Sequence, residues 1–253
     1  MPEPPQTVEG WYGLHDVRRI DWPRWKALDP AEREAALTEA IALWEEWLNA
    51  DPETGSSGVY QMVGHKGDLM FIHFRPEMAQ LAELERQFAR TRLADFTIPT
   101  YSYLSVAELS RHSESGAGGD GSPAPLPQDP NLLRRLRPQV PKEGYACFYP
   151  MSKKREGDDN WYMLPLAERR DLMMSHGLIG RNYMGTVSQV IGGSVGLDDW
   201  EWGVTLFAKD PIPFKKIVYE MRFDEASARY GLFGPFYVGI ATPPAAWREL
   251  LQV

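Results

Sequence analysis

The feature that most narrows the folds open to this chain is an order of elements that occurs twice, on either side of a Ser/Gly/Pro-rich break. In the first half WYGLHDVRRI alternates like a strand, and LDPAEREAALTEAIALWEEWL places Leu37, Ile41, Trp44 and Leu48 at helical spacing. VYQMVGHKGDLMFIHF then reads as two strands around a glycine turn, MAQLAELERQFART as a helix and IPTYSYLSVAEL as a last strand. The second half repeats the order with YACFYPMSKK, LPLAERRDLMMSHGL, YMGTVSQVIGGSVG, WEWGVTLFAK, FKKIVYEMRFDEASARYG and PFYVGIAT. Each copy fits a ferredoxin-like βαββαβ unit. The expected fold is α+β, two such repeats forming a dimeric α/β barrel with its helices outside. The expected boundaries are an N-terminal repeat over 1–112, a flexible linker over 113–130 and a C-terminal repeat over 131–253.

The 253 residues are enough for a sizeable core, and nine Trp, eleven Tyr and ten Phe supply large side chains to fill it or to line a pocket. A net charge of −8 argues against nucleic acid as a partner, because phosphate neutralisation needs a basic surface. No stretch approaches the ~18 apolar residues of a membrane span, the start MPEPPQTVEG lacks a signal-peptide pattern and Cys147 is the single cysteine. A cytoplasmic protein without membrane insertion is expected.

Aligning the halves on the shared Ala-Glu-Arg puts His176 opposite Ala40 and Met173 opposite Leu37, so His176 is expected on the inward, apolar side of a helix that Gly177 ends. Such a histidine serves either as a satisfied core residue or as an axial ligand of haem iron. His15, His65, His73 and His112 show no zinc-site spacing. Strand alternation places Tyr149, Met151 and Lys153 on one face, either a solvated strand end or a phenol and an ammonium side by side in a pocket. Arg222 and Ser227 are expected on one helix, and Arg134, Arg135 and Arg137 follow the linker; arginines grouped about a pocket suit a ligand with several carboxylates. Trp161, Trp200 and Trp202 are expected to pack the core. Gly192 to Gly196 reads as a turn, and no hydrolase or dinucleotide motif occurs.

The run from YPMSKKREGDDNWYMLP through SVGLDDWEWGVTLFAKD, with FKKIVYEMRFDEASARYGLFGPFYVG and the earlier EGWYGLHDVRRIDWPRW, resembles the coproheme decarboxylases of the chlorite dismutase superfamily. The resemblance implies the two-repeat barrel, assembled as a homopentamer, with one porphyrin in the C-terminal half. It implies His176 as the axial iron ligand, Tyr149 as the redox-active phenol and Lys153 as a catalytic residue beside a propionate. It further implies Gln189 on the distal side, and Arg135, Met151, Arg222 and Ser227 as porphyrin-binding residues, with Arg134 and Arg137 crowding Arg135. The implied reaction is hydrogen-peroxide-dependent decarboxylation of two propionates of iron coproporphyrin III, giving haem b. The substrate's own iron then serves as the redox centre with no organic cofactor, and a coproporphyrin ferrochelatase is a transient partner. A haem carrier or regulator, and a peroxidase or chlorite-degrading enzyme on the same fold, are the alternatives; Gln189 lacks the distal positive charge of the latter.

Overall fold

The computed structural model describes residues 4–111 and 129–252. His112 and the expected linker lie outside them except for Asp129 and Pro130, which open a helix: Asp129 accepts from the Asn131 N–H at 2.8 Å and Pro130 takes the first helical position.

The strands are β1 (Gln6–Ile20), β2 (Ser56–Val63), β3 (Leu69–Arg75), β4 (Thr97–Arg111), β5 (Tyr145–Lys153), β6 (Arg155–Glu156), β7 (Asp159–Asn160), β8 (Ser188–Gly193), β9 (Trp202–Ala208), β10 (Gly231–Phe233) and β11 (Tyr237–Ala241). The helices are α1 (Trp22–Ala27), α2 (Pro30–Leu48), α3 (Met78–Ala89), α4 (Pro130–Leu136), α5 (Leu166–Arg181), α6 (Ile212–Met221), α7 (Glu225–Ala228) and α8 (Trp247–Leu251). Among the described residues no helix is long and apolar enough to cross a membrane.

In the first half the antiparallel order is β2-β3-β1-β4, and in the second it is β11-β5-β9-β8. Pairings β11–β2 and β4–β8 join the halves, so eight strands close into a ring that leaves no free edge between them. The arrangement is α+β, as expected. β10 and β11 lie one after the other along the same edge of β5, and the Gly234 N–H donates to the Pro150 carbonyl at 2.9 Å where they part. The sequence shows only the second of these two pieces as a strand.

Two helix boundaries differ from expectation. The stretch read as one helix carrying Arg222 and Ser227 is two, because the Asp224 side chain accepts from the Ser227 N–H and starts α7 afresh, leaving Arg222 at the end of α6. Gly177 sits inside α5 rather than at its end; the helix runs on to Arg181, and the first glycine beyond it with positive φ is Gly185.

The inner face of the ring is filled by alternating side chains, among them Val17, Tyr60, Ile72, Phe74, Tyr103, Phe148 and Phe207, with His15 stacked on Phe148 at 4.1 Å. Burial pushes the His15 imidazole down to about 3, so it is neutral there. Room for such large rings comes from glycines on the same face: a Cβ at Gly203 would lie 2.5 Å from the Tyr103 ring. Outside the ring, α2 and α3 press Leu37, Trp44, Trp47, Leu81 and Phe88 onto Leu69 and Phe71. An alanine at Gly203 should therefore cost about 1 to 3 kcal/mol through overpacking. Gly177→Ala, in open space within α5, should gain about 0.5 to 1 kcal/mol. Urea unfolding of the two variants checks the opposite signs.

Candidate functional site

The two halves treat their first long helix differently. In α2 the positions Leu37, Ala40, Ile41 and Trp44 are all buried and the helix packs on β2. The corresponding residues of α5 are Met173, His176, Gly177 and Gly180, and α5 packs mainly on α6 and α7. Where the first half inserts an isoleucine and an indole, the second has two glycines; a Cβ at Gly177 would meet nothing within 4 Å. Met174, Leu178 and Met184 are left more than half exposed, at 58%, 54% and 76%. On this face of the helix, bulk present in α2 is missing from α5.

His176 is half-buried in α5. Its Nδ1 donates to Asp224 Oδ2 at 2.8 Å, and the Ser227 Oγ lies 3.4 Å from the same nitrogen. Asp224 is almost wholly buried and also accepts from the Ser227 N–H at 3.2 Å. A carboxylate only accepts, so this contact places the ring proton on Nδ1 and leaves Nε2 with its lone pair for a metal. The break between α6 and α7 brings Asp224 here, and the same break ties Ser227 to the histidine.

On β5, Tyr149, Met151 and Lys153 do share a face. Tyr149 is buried, stacked on Phe236 at 4.5 Å and tilted against Phe233 at 6.0 Å. Burial pushes its phenol well above the usual range, with the Arg222 guanidinium opposing, so the hydroxyl keeps its hydrogen. Arg222 itself lies over the Phe233 ring at 3.9 Å. Lys153 Nζ donates to the Ala226 carbonyl at 3.0 Å and sits 4.2 Å above the Trp161 ring. Burial lowers this ammonium to about 8, while Asp224 and Glu201 pull it back upward.

Cross-strand register extends the face. Tyr149 pairs with Val204, which pairs with Ile191; Cys147 pairs with Leu206, which pairs with Gln189. Directly opposed residues point the same way, so Gln189 and Tyr149 look out of the same side of the sheet, and Gln189 is exposed. Met151, half-buried, pairs with Trp202, whose Nε1–H donates to Glu108 at 3.0 Å; Trp161 is buried against Tyr230, and Trp200 packs at the edge of the ring's inner cluster. The structure thus brings together His176, Ser227, Lys153, Tyr149, Arg222 and Met151. It does not join Arg135 to them: Arg135 is exposed in the last turn of α4, which packs on β1 and β4, and no hydrogen bond, ion pair or ring contact among the described residues links it to the group.

Sequence reasoning missed Asp224, Phe233 and Phe236. Asp224 had a local signal, an Asp just before Glu-Ala-Ser in the manner of a helix N-cap; the two phenylalanines had none. The glycines were legible in the alignment of the halves, which sets Gly177 against Ile41 and Gly180 against Trp44.

These residues fit a large flat ligand with a metal at its centre and acid groups at its rim: open space at Gly177, apolar walls, a histidine with Nε2 available, and the cations Lys153 and Arg222. The sequence profile named chlorite dismutase matches residues 33–242. Among solved structures, a heme-binding protein from Thermus thermophilus is 50% identical with a TM-score of 0.91, the match covering 100% of this chain and 99% of that one. A mutant chlorite dismutase from Candidatus Nitrospira defluvii, 20% identical with a TM-score of 0.75 over 96% of each chain, shares the fold. The profile spans most of the sequence, and the chain belongs to the chlorite dismutase family.

Proposed function

We propose that this protein converts iron coproporphyrin III to haem b, removing two propionate carboxyls with hydrogen peroxide as oxidant. Each step turns a propionate, one peroxide and one proton into a vinyl group, carbon dioxide and two waters. The observation that carries this reading is Tyr149 and Lys153, both withdrawn from water on one face of β5, beside helices that hold His176 on Asp224. The heme-binding character of the Thermus relative supports the ligand class. Gln189 favours this chemistry over chlorite breakdown, since a neutral amide does not hold a chlorine oxyanion as a distal cation does.

The same reading takes the halves as two ferredoxin-like copies closed into a dimeric barrel, for which their equal strand order is the support. It takes the molecule as a cytoplasmic homopentamer that receives its porphyrin from a ferrochelatase.

In this reading His176 Nε2 binds the substrate iron, while Lys153, Arg222, Ser227 and Met151 face the propionates. The substrate iron and peroxide together supply the oxidising power. Tyr149 gives up its phenolic hydrogen and recovers one from the propionate carbon next to the ring system, which calls for reacting atoms at about 3 to 3.5 Å. Phe233 and Phe236 keep water from the phenol, and Lys153 orients the carboxylate that leaves as carbon dioxide.

The deciding experiment adds iron coproporphyrin III to the protein, titrates peroxide and follows the porphyrin by mass spectrometry. Two successive losses of carbon dioxide with two hydrogens are expected. Tyr149→Phe should bind the porphyrin and leave all four propionates intact; haem b from that variant would end the radical role of Tyr149. A bound porphyrin that only bleaches in the unaltered protein would favour haem carriage or peroxidase activity, to which the Thermus relative's heme binding also points.

Lys153 sets a pH limit. Its folded value near 8 means the ammonium is present below that pH and lost above it, so kcat/KM should fall as pH rises through about 8. Lys153→Arg, charged throughout, should turn more slowly and lose that alkaline limb. Asp224→Asn removes the charge that receives the His176 proton, and should weaken ligation of the porphyrin iron by roughly 10- to 100-fold in an absorbance titration.

A further inference from the structure

Glu201 stands just before β9 and is buried, with 8% of its surface exposed. Its backbone and side chain are both committed to the end of β5. The Glu201 N–H donates to the Met151 carbonyl at 3.1 Å and approaches Ser152 Oγ at 3.2 Å, while the Lys153 N–H donates to Glu201 Oε2 at 2.7 Å. The other carboxylate oxygen faces Arg155 Nη1 at 3.8 Å, and the Tyr162 hydroxyl donates to the same carboxylate. One buried acid therefore touches the strand end that carries Met151 and Lys153, the hairpin strand β6 and the turn that follows it. Burying a carboxylate is costly unless charge and hydrogen bonds compensate it, and here the compensating groups are those around Lys153.

We infer that Glu201 is a positioning residue for Lys153: its carboxylate fixes the backbone from which the lysine side chain extends and, with Asp224, supplies the counter-charge for the ammonium. The other charges nearby are spoken for. Lys154 pairs with Asp159 at 3.1 Å, and Arg229 is held by Asp159 and Glu225. Asp224 is engaged by His176 and the Ser227 N–H, Arg155 lies against Glu201 with its own side chain 67% exposed, and the buried Arg169 is close enough to Tyr162 to act on its phenol. The inference rests on Lys153 being part of the working site, and its direct test does not depend on turnover.

That test uses ligand-free protein labelled with 13C at lysine Cε, the Lys153 signal being identified by its loss in Lys153→Arg. In Glu201→Gln the amide keeps an oxygen for the Lys153 N–H but carries no charge, and the Lys153 titration midpoint should drop below that of the unaltered protein. Glu201→Asp keeps the charge and should hold the midpoint near its original value. An unchanged midpoint in Glu201→Gln, or an equal drop in Glu201→Asp, would overturn the inference. The kcat/KM profile for decarboxylation is then compared. If its alkaline limb moves with the midpoint in Glu201→Gln, the inference extends to turnover. If the midpoint moves while decarboxylation is absent in the unaltered protein, Glu201 still positions Lys153 and the proposed reaction is what fails.

Discussion

Closure of the strand ring is the constraint on which everything else in this fold depends. Either half alone would end in open edges, β2 and β4 in the first and β8 and β11 in the second, and exposed edges recruit other strands. The β4–β8 seam is short, with Val106 opposite Gly193 and Ala107 opposite Gly192. Side chains extend it: Trp202 donates to Glu108, Asp198 accepts from the Leu104 N–H at 2.8 Å, and the Tyr103 hydroxyl meets Ser194. Gly192 and Gly193 are required there because Ser105 and Glu108 occupy the space a Cβ would need. With the inner face packed by aromatic rings, the helices lie outside, and open space is left on that side at Gly177 of α5.

That room is made in one half and filled in the other. Trp44 lies fully buried between α2 and its neighbours, against Phe71 and Trp247. Burying an indole removes about 150 to 250 Å² from water, worth roughly 4 to 6 kcal/mol at about 25 cal/mol per Å². With Gly180 in the corresponding place, α5 forgoes that stabilisation and leans on α6 and α7 instead.

Much of this was legible in the sequence. The alternation of β5 put Tyr149, Met151 and Lys153 on one side, and helical spacing picked out the buried stripe of α2, because both depend on local periodicity. Helical spacing picked out His176 as an inward-facing candidate but left core residue and iron ligand both open, because that spacing is the same for either. Asp224 and Glu201 lie beyond periodicity. Each acts where chain segments far apart in sequence meet, Asp224 on His176 and Glu201 on Lys153, and no single-segment pattern encodes such a meeting. The split of the last strand into β10 and β11 escaped for a similar reason, since Phe236 is set by its stacking on Tyr149 and by Lys66 Nζ donating to its carbonyl at 2.6 Å.

The electrostatics of the site follow from how few charges it buries. Asp224 receives the Nδ1 proton of His176 and is also the leading opposing charge for the Lys153 ammonium. A histidine that donates more strongly to a carboxylate becomes a stronger ligand through its other nitrogen, and a carboxylate drawn more tightly to the histidine does less for a neighbouring lysine. The histidine end and the lysine end of the site therefore share one counter-charge. Glu201 breaks that dependence, since its own partners Arg155, Tyr162 and the Lys153 N–H are separate from the histidine. With two buried carboxylates at hand, Asp224 orients the imidazole while Glu201 fixes the strand end that carries the amine, so neither task rests on a single acid.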